Sequence, residues 1–213
     1  MTRTARLIWN ELMPRRAVFA TADVVALSDM APSNVSRDLA RLAADGMISR
    51  IRRGLWAIAG HPDFSPYAVV PHLFAEGEEG YVSLLSAMSL HGMIDQIPQA
   101  VQIVTTKQRA PLSTSVARYE FHQIQPELFG GAMPYGGTGT FDIASPEKAL
   151  FDILYLSTRK GNRFAHLPET EMGKAFSYSA MEAWIAKVRL EPLCRALRER
   201  WDSIGAGEGP ARS

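Results

Sequence analysis

The stretch from residue 32 to residue 46 constrains the fold of this chain most strongly. Pro32 suits the first turn of a helix, and Gly46 suits the position just beyond a helix end. Between them Val35, Leu39 and Leu42 recur at the i, i+4, i+7 spacing of a helix with one buried stripe. The pattern therefore predicts an amphipathic helix that packs one face into a core and leaves the other face free.

The segments on either side of this helix predict a helix-turn-helix followed by a hairpin. Thr21 is expected to cap a short helix that ends near residue 27, with Asp23 in its first turn. Residues 28–31 then break the helical pattern. After Gly46, residues 48–53 and 55–58 predict two short strands joined at Gly54, although Ile48 and Ile51 are out of phase for a regular strand. Such a hairpin would form a wing.

Polar and basic side chains are expected on the free face of the 32–46 helix and on the hairpin. At 100° per residue, Asp38 and several neighbours lie opposite the apolar stripe. Arginines of the hairpin would lie beside the DNA backbone or reach into the minor groove. The candidate DNA-binding residues are Ser33, Asn34, Ser36, Arg37, Arg41, Arg50, Arg52 and Arg53.

The charge distribution supports a nucleic-acid partner for the N-terminal part. Residues 1–60 carry nine Arg and five acids, a balance of +4, whereas the remainder carries fourteen Lys or Arg and seventeen acids, a balance of −3. Arg suits phosphates and guanine edges better than Lys because its planar fork donates two parallel hydrogen bonds. A small helical domain with a solvated arginine-rich hairpin is the alternative interpretation of the same residues.

The chain as a whole predicts an α+β protein with two domains and a tail. We place a winged helix-turn-helix in residues 1–60, a mixed α/β domain with C-terminal helices in 61–204, and a disordered tail in 205–213. In the second domain, alternation predicts strands at 101–106, 118–124 and 140–143, the first two in one sheet. Caps and apolar spacing predict helices at 83–91, from Ser145 onward, at 179–188 and at 191–202.

Four segments of the chain resemble the AbiEi family of antitoxins. They are residues 52–58, 81–92, 97–109 and 145–152, and they include the motifs Ser-Ala-x-x-x-His-Gly (86–92) and Pro-Glu-Lys-Ala-Leu-x-Asp (146–152). Their order and spacing are similar to the family pattern from about Val18 to about Trp201. Met88 stands where leucine would be expected, an apolar exchange of small consequence.

The resemblance implies a function that the residue patterns alone do not give. The N-terminal winged helix would bind inverted repeats of double-stranded DNA in the promoter of its own operon, as an autorepressor. The C-terminal domain would counter a neighbouring nucleotidyltransferase toxin, with or without direct contact. Inverted repeats require two copies of the chain on the site, whether it is a monomer or a dimer in solution.

Two other function classes compete for the second domain. An enzyme could use the serines at 83, 86 and 89 with His91 and the acids at 95, 142, 147 and 152, but these cluster within single elements, so we assign no catalytic residue. Lys148 and Asp152, spaced i, i+4, are expected to form a helix-surface pair. A ligand-responsive repressor, with a metabolite bound by the second domain, stays open.

Other features of the sequence exclude several sites. Residues 136–139 (Gly-Gly-Thr-Gly) lack the lysine and spacing of a phosphate-binding loop, and the five histidines have no metal-ligand spacing, so neither cofactor nor metal is expected. Cys194, the sole cysteine, permits no intrachain disulfide. Without a signal peptide or a long apolar run, the chain is expected in the cytoplasm with no membrane partner.

Overall fold

The computed structural model describes residues 2–135, 141–159, 164 and 167–205, which form an α+β fold with two sheets. The N-terminal elements follow the order helix, strand, helix, helix, strand, strand. They are α1 (Arg3–Leu7), continued by a π-helical segment (Ile8–Leu12), then β1 (Val18–Ala20), α2 (Thr21–Leu27), α3 (Pro32–Ala44), β2 (Ile48–Arg52) and β3 (Leu55–Ile58). The predicted helix after Pro32 and the predicted pair of strands are confirmed. The sequence analysis did not predict α1 or β1.

The strand β2 contains a β-bulge and is buried on both faces, which accounts for its irregular pattern. The three N-terminal strands form an antiparallel sheet in the order β1-β3-β2. The register shifts between Arg50, which faces Trp56, and Arg52, which faces Leu55. A bulge adds one residue to a strand and changes which face the following side chains occupy. Ile48 and Ile51 are three residues apart and point to opposite faces of the sheet, and both are buried because each face packs against a core.

This small sheet contributes to two hydrophobic cores. One face of the sheet packs with the helices α1, α2 and α3, through Phe19, Ile48, Trp56 and Ile58. The side chains that point the other way join the core of the C-terminal part, and they are Val18, Ile51, Leu55 and Ala57. The predicted boundary near residue 60 thus separates segments of the chain that pack against each other through this sheet.

The C-terminal part contains a mixed sheet in the order β6-β7-β5-β4-β9-β8. Its strands are β4 (Gly80–Val82), β5 (Val101–Thr105), β6 (Leu112–Ser113), β7 (Arg118–Gln123), β8 (Ala132–Pro134) and β9 (Asp142–Ala144). β5 pairs with β7 in parallel, as β4 does with β9, and the other pairs are antiparallel. The prediction that residues 101–106 and 118–124 share a sheet is confirmed.

Helices pack against this sheet, and one of them is enclosed on all sides. The helices are α4 (Leu84–Leu90), α5 (Pro146–Ser157), α6 (Tyr178–Ala186) and α7 (Glu191–Gly205), and shorter 3-10 helices cover Pro66–Leu73 and Pro126–Leu128. Every residue of α5 from Glu147 to Tyr155 is buried, because α4, α6 and α7 all contact it. The predicted Lys148–Asp152 pair lies within this buried part of α5.

Three predicted helix caps have different outcomes. Ser145 caps α5 as predicted, since its Oγ accepts a hydrogen bond from the Lys148 amide at 3.2 Å. Thr21 is the first residue of α2 rather than its cap, and its hydroxyl instead accepts from the Trp56 indole at 2.9 Å. Ser83 occupies the cap position of α4, but its hydroxyl donates to Asp152. At Thr21 and Ser83, a hydrogen bond to a residue distant in sequence replaces the predicted cap.

Two predictions fall outside the described residues in whole or in part. The glycine-rich loop at 136–139 lies outside them, and so does residue 140, predicted to begin a strand. Residues 206–213 of the predicted tail also lie outside, while Gly205 ends α7. Within the described part of the chain, no helix is both long and apolar enough to cross a bilayer.

Candidate nucleic-acid interface

The helix α3 is held by its apolar stripe and exposes the opposite side. Val35 and Leu39 are 0% exposed and Leu42 is 5% exposed, because all three pack into the N-terminal core. Pro32 begins the helix, and Gly46 follows it with a φ of +72°. Because only one face of α3 packs into the core, its opposite, polar face is exposed and accessible to an external partner. The predicted site residues on this surface are all exposed, and they are Ser33, Asn34, Ser36, Arg37 and Arg41.

Small residues flank the basic side chains of this surface. Ala40 and Ala44 are exposed. At about 100° per residue, Ala44 lies between Ser33 and Arg37 around the helix axis, and Ala40 lies roughly 20° to the other side of Ser33. Arg37 Nη1 lies 3.5 Å from Asn34 Oδ1, at the long limit of a hydrogen bond. Because the alanines at the centre of this surface are short, a large ligand can approach the helix backbone there. The longer arginine side chains extend beyond the alanines.

Asp38 does not lie on the exposed surface, contrary to the prediction. Its Oδ2 accepts a hydrogen bond of 2.6 Å from Thr4 Oγ1, and the residue is only partly exposed. The prediction was wrong because α1, which the sequence analysis did not identify, packs against this flank of α3. Asp38 therefore contributes no carboxylate to the surface that carries Arg37 and Arg41, and that surface is more favourable for a polyanion than predicted.

The three hairpin arginines have different surroundings. Arg53 is exposed in the two-residue turn with Gly54, whose φ is +77°. The Arg50 guanidinium lies 5.7 Å from the centre of the Trp56 ring. Arg52 Nη2 donates to the His72 carbonyl at 2.7 Å, which directs this side chain toward the C-terminal part. Arg53 is therefore the hairpin arginine with the greatest freedom to reach a ligand.

Further arginines, not predicted as site residues from the sequence, lie in and after α1. Arg6 and Arg15 are exposed, and Arg3 pairs with Asp29 at 3.1 Å on the surface. A signal for α1 exists in the sequence, because Thr2 caps the helix by accepting from the Ala5 amide at 3.1 Å. Apolar residues at 5, 8 and 12 then follow the spacing of one buried face. The basic character of the N-terminal part thus extends beyond α3 and the hairpin.

The i, i+4 pair of α5 is buried, and the prediction of a surface pair was wrong. The Lys148 ammonium and the Asp152 carboxylate form an ion pair in which both side chains are 0% exposed. Asp152 Oδ2 also accepts from Ser83 Oγ at 2.8 Å and from Tyr81 Oη at 3.3 Å. Burial raises the pKa of Asp152 and lowers that of Lys148, and in each case the partner's charge opposes the shift.

His91 and Glu147, also considered for chemistry, have structural partners. His91 ends α4, with Nε2 2.8 Å from the Ala144 carbonyl oxygen. Glu147 accepts from Ser145 Oγ and from the Ser177 amide, both at 2.8 Å. Among the described residues, no group of three or more His, Cys, Asp or Glu side chains is placed to hold a metal ion. Packing and capping account for these positions.

Comparison with known proteins adds no assignment. No protein-family model matches the chain, and no curated protein matches it either.

Proposed function

We propose that residues 1–60 form a winged helix-turn-helix that binds double-stranded DNA, with α3 in the major groove. The order of elements and the β1-β3-β2 sheet support this proposal, because they place α2, a four-residue connection and α3 ahead of a two-stranded wing. Recognition helices of this class contact base edges with residues near their N-terminus. Ser33, Asn34 and Arg37 occupy that part of α3.

The observation that carries the proposal is the division of α3 into two faces. One face is buried at Val35, Leu39 and Leu42, and the other exposes Arg37 and Arg41 with small and polar neighbours. A helix whose outer face contacts only solvent more often carries both acidic and basic side chains on that face. Here the one acid between residues 32 and 44 contacts Thr4 instead.

For the whole chain we propose an antitoxin that represses its own operon. This part of the proposal is supported by the AbiEi-like segments, which continue through the C-terminal sheet and α5. The protein would bind inverted repeats upstream of its gene, while residues 61–204 counter a nucleotidyltransferase toxin encoded beside it. The buried Lys148–Asp152 pair gives the Pro-Glu-Lys-Ala-Leu-x-Asp segment a structural role within this domain.

Two experiments test these activities separately. Fluorescence anisotropy with DNA from upstream of the gene, compared with scrambled DNA of the same length, measures sequence-specific binding; equal affinity for both would refute an operator in that region. Co-expression with the adjacent gene product measures protection. The full chain should restore growth if that product is its toxin, and no rescue by the full chain would refute the antitoxin role.

A ligand-responsive repressor is the second candidate, and one observation favours it. The C-terminal part contains an open cleft of about 1240 Å³ lined by polar and basic side chains. Its volume is ample for a small molecule, since ligand sites of this type commonly span about 300–1,000 Å³. A DNA-binding protein with such a cleft could change its DNA affinity when the cleft is occupied.

A further inference from the structure

The cleft runs along β7 near one edge of the C-terminal sheet, and its lining includes side chains from both faces of that strand. β5 and β7 are adjacent parallel strands whose register places Gln102 beside Glu120. Residues two apart on a strand share a face, so Arg118 and His122 lie on the same side of β7 as Glu120. All four line the cleft, whose wall is completed by Leu85 of α4 and by the end of α5. Its floor is polar although it lies in a sheet.

Basic groups outnumber acidic groups in this lining. Among the described residues, the lining has three guanidinium groups, from Arg109, Arg118 and Arg159, and one carboxylate, from Glu120. Arg109 is held in the wall, since it donates to Glu78 at 3.0 Å and to the Leu73 carbonyl at 2.7 Å. Arg109 is therefore paired with a carboxylate outside the cleft, and Arg118 is paired with Glu120 inside it.

The other two arginines retain donors for a ligand. Arg118 contacts Glu120 through Nε at 3.1 Å, which occupies one of the five N–H donors of a guanidinium. Arg159 donates from Nη1 to the Gln123 carbonyl at 3.3 Å, and its guanidinium lies 5.9 Å from the Tyr155 ring centre. Guanidinium groups bind phosphate oxygens in a bidentate geometry, so each of these side chains, one at either end of β7, can hold a phosphate group.

The remaining lining suits a nitrogen heterocycle. The primary amides of Gln96 and Gln108 line the same cleft, and Leu85 and Leu156 provide apolar surface. The Gln102 amide is buried, and its Oε1 accepts from the Leu85 amide at 2.9 Å. Side-chain amides both donate and accept, which matches the edge of a nucleobase, and apolar side chains cover its faces. We propose that this cleft is a binding site for a nucleoside phosphate, with the phosphates at Arg118 and Arg159.

The cleft is also connected to the wing by a short path. The turn between β6 and β7 contacts the outer edge of β2, where Ser115 Oγ donates to the Arg50 carbonyl at 2.8 Å. Arg118 follows this turn by three residues at the start of β7. A ligand that displaces Arg118 would move the turn and, through it, the wing. This coupling rests on the proposed DNA-binding function, whereas the binding site itself does not.

Calorimetric titration of the full chain without DNA tests the site. The probes are ATP, GTP, adenosine, guanosine and inorganic phosphate. At least one nucleotide should bind saturably at one site per chain, about tenfold or more tighter than its nucleoside or phosphate. Arg118→Gln and Arg159→Gln should each weaken that binding roughly ten- to a hundredfold, as expected for a hydrogen bond to a charged group.

The matched control is Lys107→Gln, because Lys107 is exposed, pairs with Glu78 and lies outside the cleft lining. This variant should bind within about twofold of wild type, and the unfolding midpoints of all variants show that they are folded. Absence of saturable binding below about 1 mM would overturn the site. So would equal binding by the Arg118 and Arg159 variants. Equal affinity for inorganic phosphate would overturn the nucleotide assignment.

The coupling is tested by measuring DNA affinity with and without the nucleotide. Ser115→Ala should retain nucleotide binding within about twofold and lose most of the nucleotide's effect on DNA affinity. A nucleotide that binds without changing the DNA affinity of the wild type overturns the coupling but not the site. A chain that binds nucleotide but no DNA overturns the proposed function instead. The two failures are thus distinguishable.

Discussion

Replacing Lys148 with methionine tests the buried ion pair of α5. Methionine is similar in length but uncharged, so the Asp152 carboxylate loses its counter-ion inside the core. Removing one partner of a buried pair costs about 3–5 kcal/mol. Ser83 and Tyr81 continue to donate to Asp152, and for this reason we expect the lower end, about 3 kcal/mol. For a chain of this size that corresponds to a fall in Tm of roughly 6–12 °C.

A second replacement separates the lost counter-ion from lost packing. Lys148→Met with Asp152→Asn removes both charges but keeps an oxygen that accepts from Ser83 and Tyr81. It should recover more than half of the stability lost by the single variant, because no unpaired charge is left. Lys107→Met is the matched surface control. It breaks an ion pair of 3.0 Å at a lysine side chain that is 63% exposed, and should cost about 1 kcal/mol or less.

The pH dependence of the single variant follows from the pKa of Asp152. Burial raises this pKa, and Lys148 opposes the rise, so the variant raises it further. The unfolded chain releases the same proton near about pH 3.9. Between that pH and the raised folded value the folded state holds more protons, and stability falls as pH increases. The deficit relative to wild type should therefore be smaller at pH 4 than at pH 7.

Urea denaturation followed by circular dichroism measures all three effects. A single variant within about 0.5 kcal/mol of wild type would refute the account of the buried pair. A double variant no more stable than the single one would refute the role of the unpaired charge. A deficit that does not change between pH 4 and pH 7 would refute the assigned titration of Asp152.

Three further predictions concern the N-terminal part. Arg37→Ala should cost about 1–3 kcal/mol on the preferred site and much less on scrambled DNA in anisotropy titrations; equal losses would contradict base recognition. Arg53→Ala should weaken binding to every sequence and reduce the slope of log K against log salt by about 0.9, and an unchanged slope would exclude a phosphate contact. Gly54→Ala, at a φ of +77°, should lower the free energy of unfolding by about 1–2 kcal/mol; wild-type stability would contradict the strain.

Local signals predicted α3 well. Pro32 and Gly46 bounded α3, and the spacing of Val35, Leu39 and Leu42 identified its buried face, because a helix periodicity and its caps depend on nearby residues only. The hairpin was predicted from Gly54 and its β-branched neighbours. Its bulge was not, since a register shift depends on what each face of the sheet packs against.

Tertiary contacts explain what the sequence did not predict. Asp38 accepts a hydrogen bond from Thr4 instead of facing solvent, because α1 covers that side of α3. Lys148 and Asp152 were assigned to a surface from their spacing, yet α5 is surrounded by other helices and the sheet. The cleft was not predicted either, because its lining comes from two strands, two helices and intervening loops. In each case, the deciding neighbour is distant in sequence.

Hydroxyl-radical footprinting of the DNA upstream of the gene, with wild type and with Arg37→Ala/Arg41→Ala, tests the central proposal most directly. Wild type should protect two half-sites related by inverted symmetry, with centres one helical turn of about 10–10.5 base pairs, or a multiple of it, apart. The double variant, folded to the same midpoint, should give no protection at the same concentration. Absence of protection by wild type at low salt, or an identical footprint from the double variant, would contradict the assignment of α3 as a DNA-recognition helix.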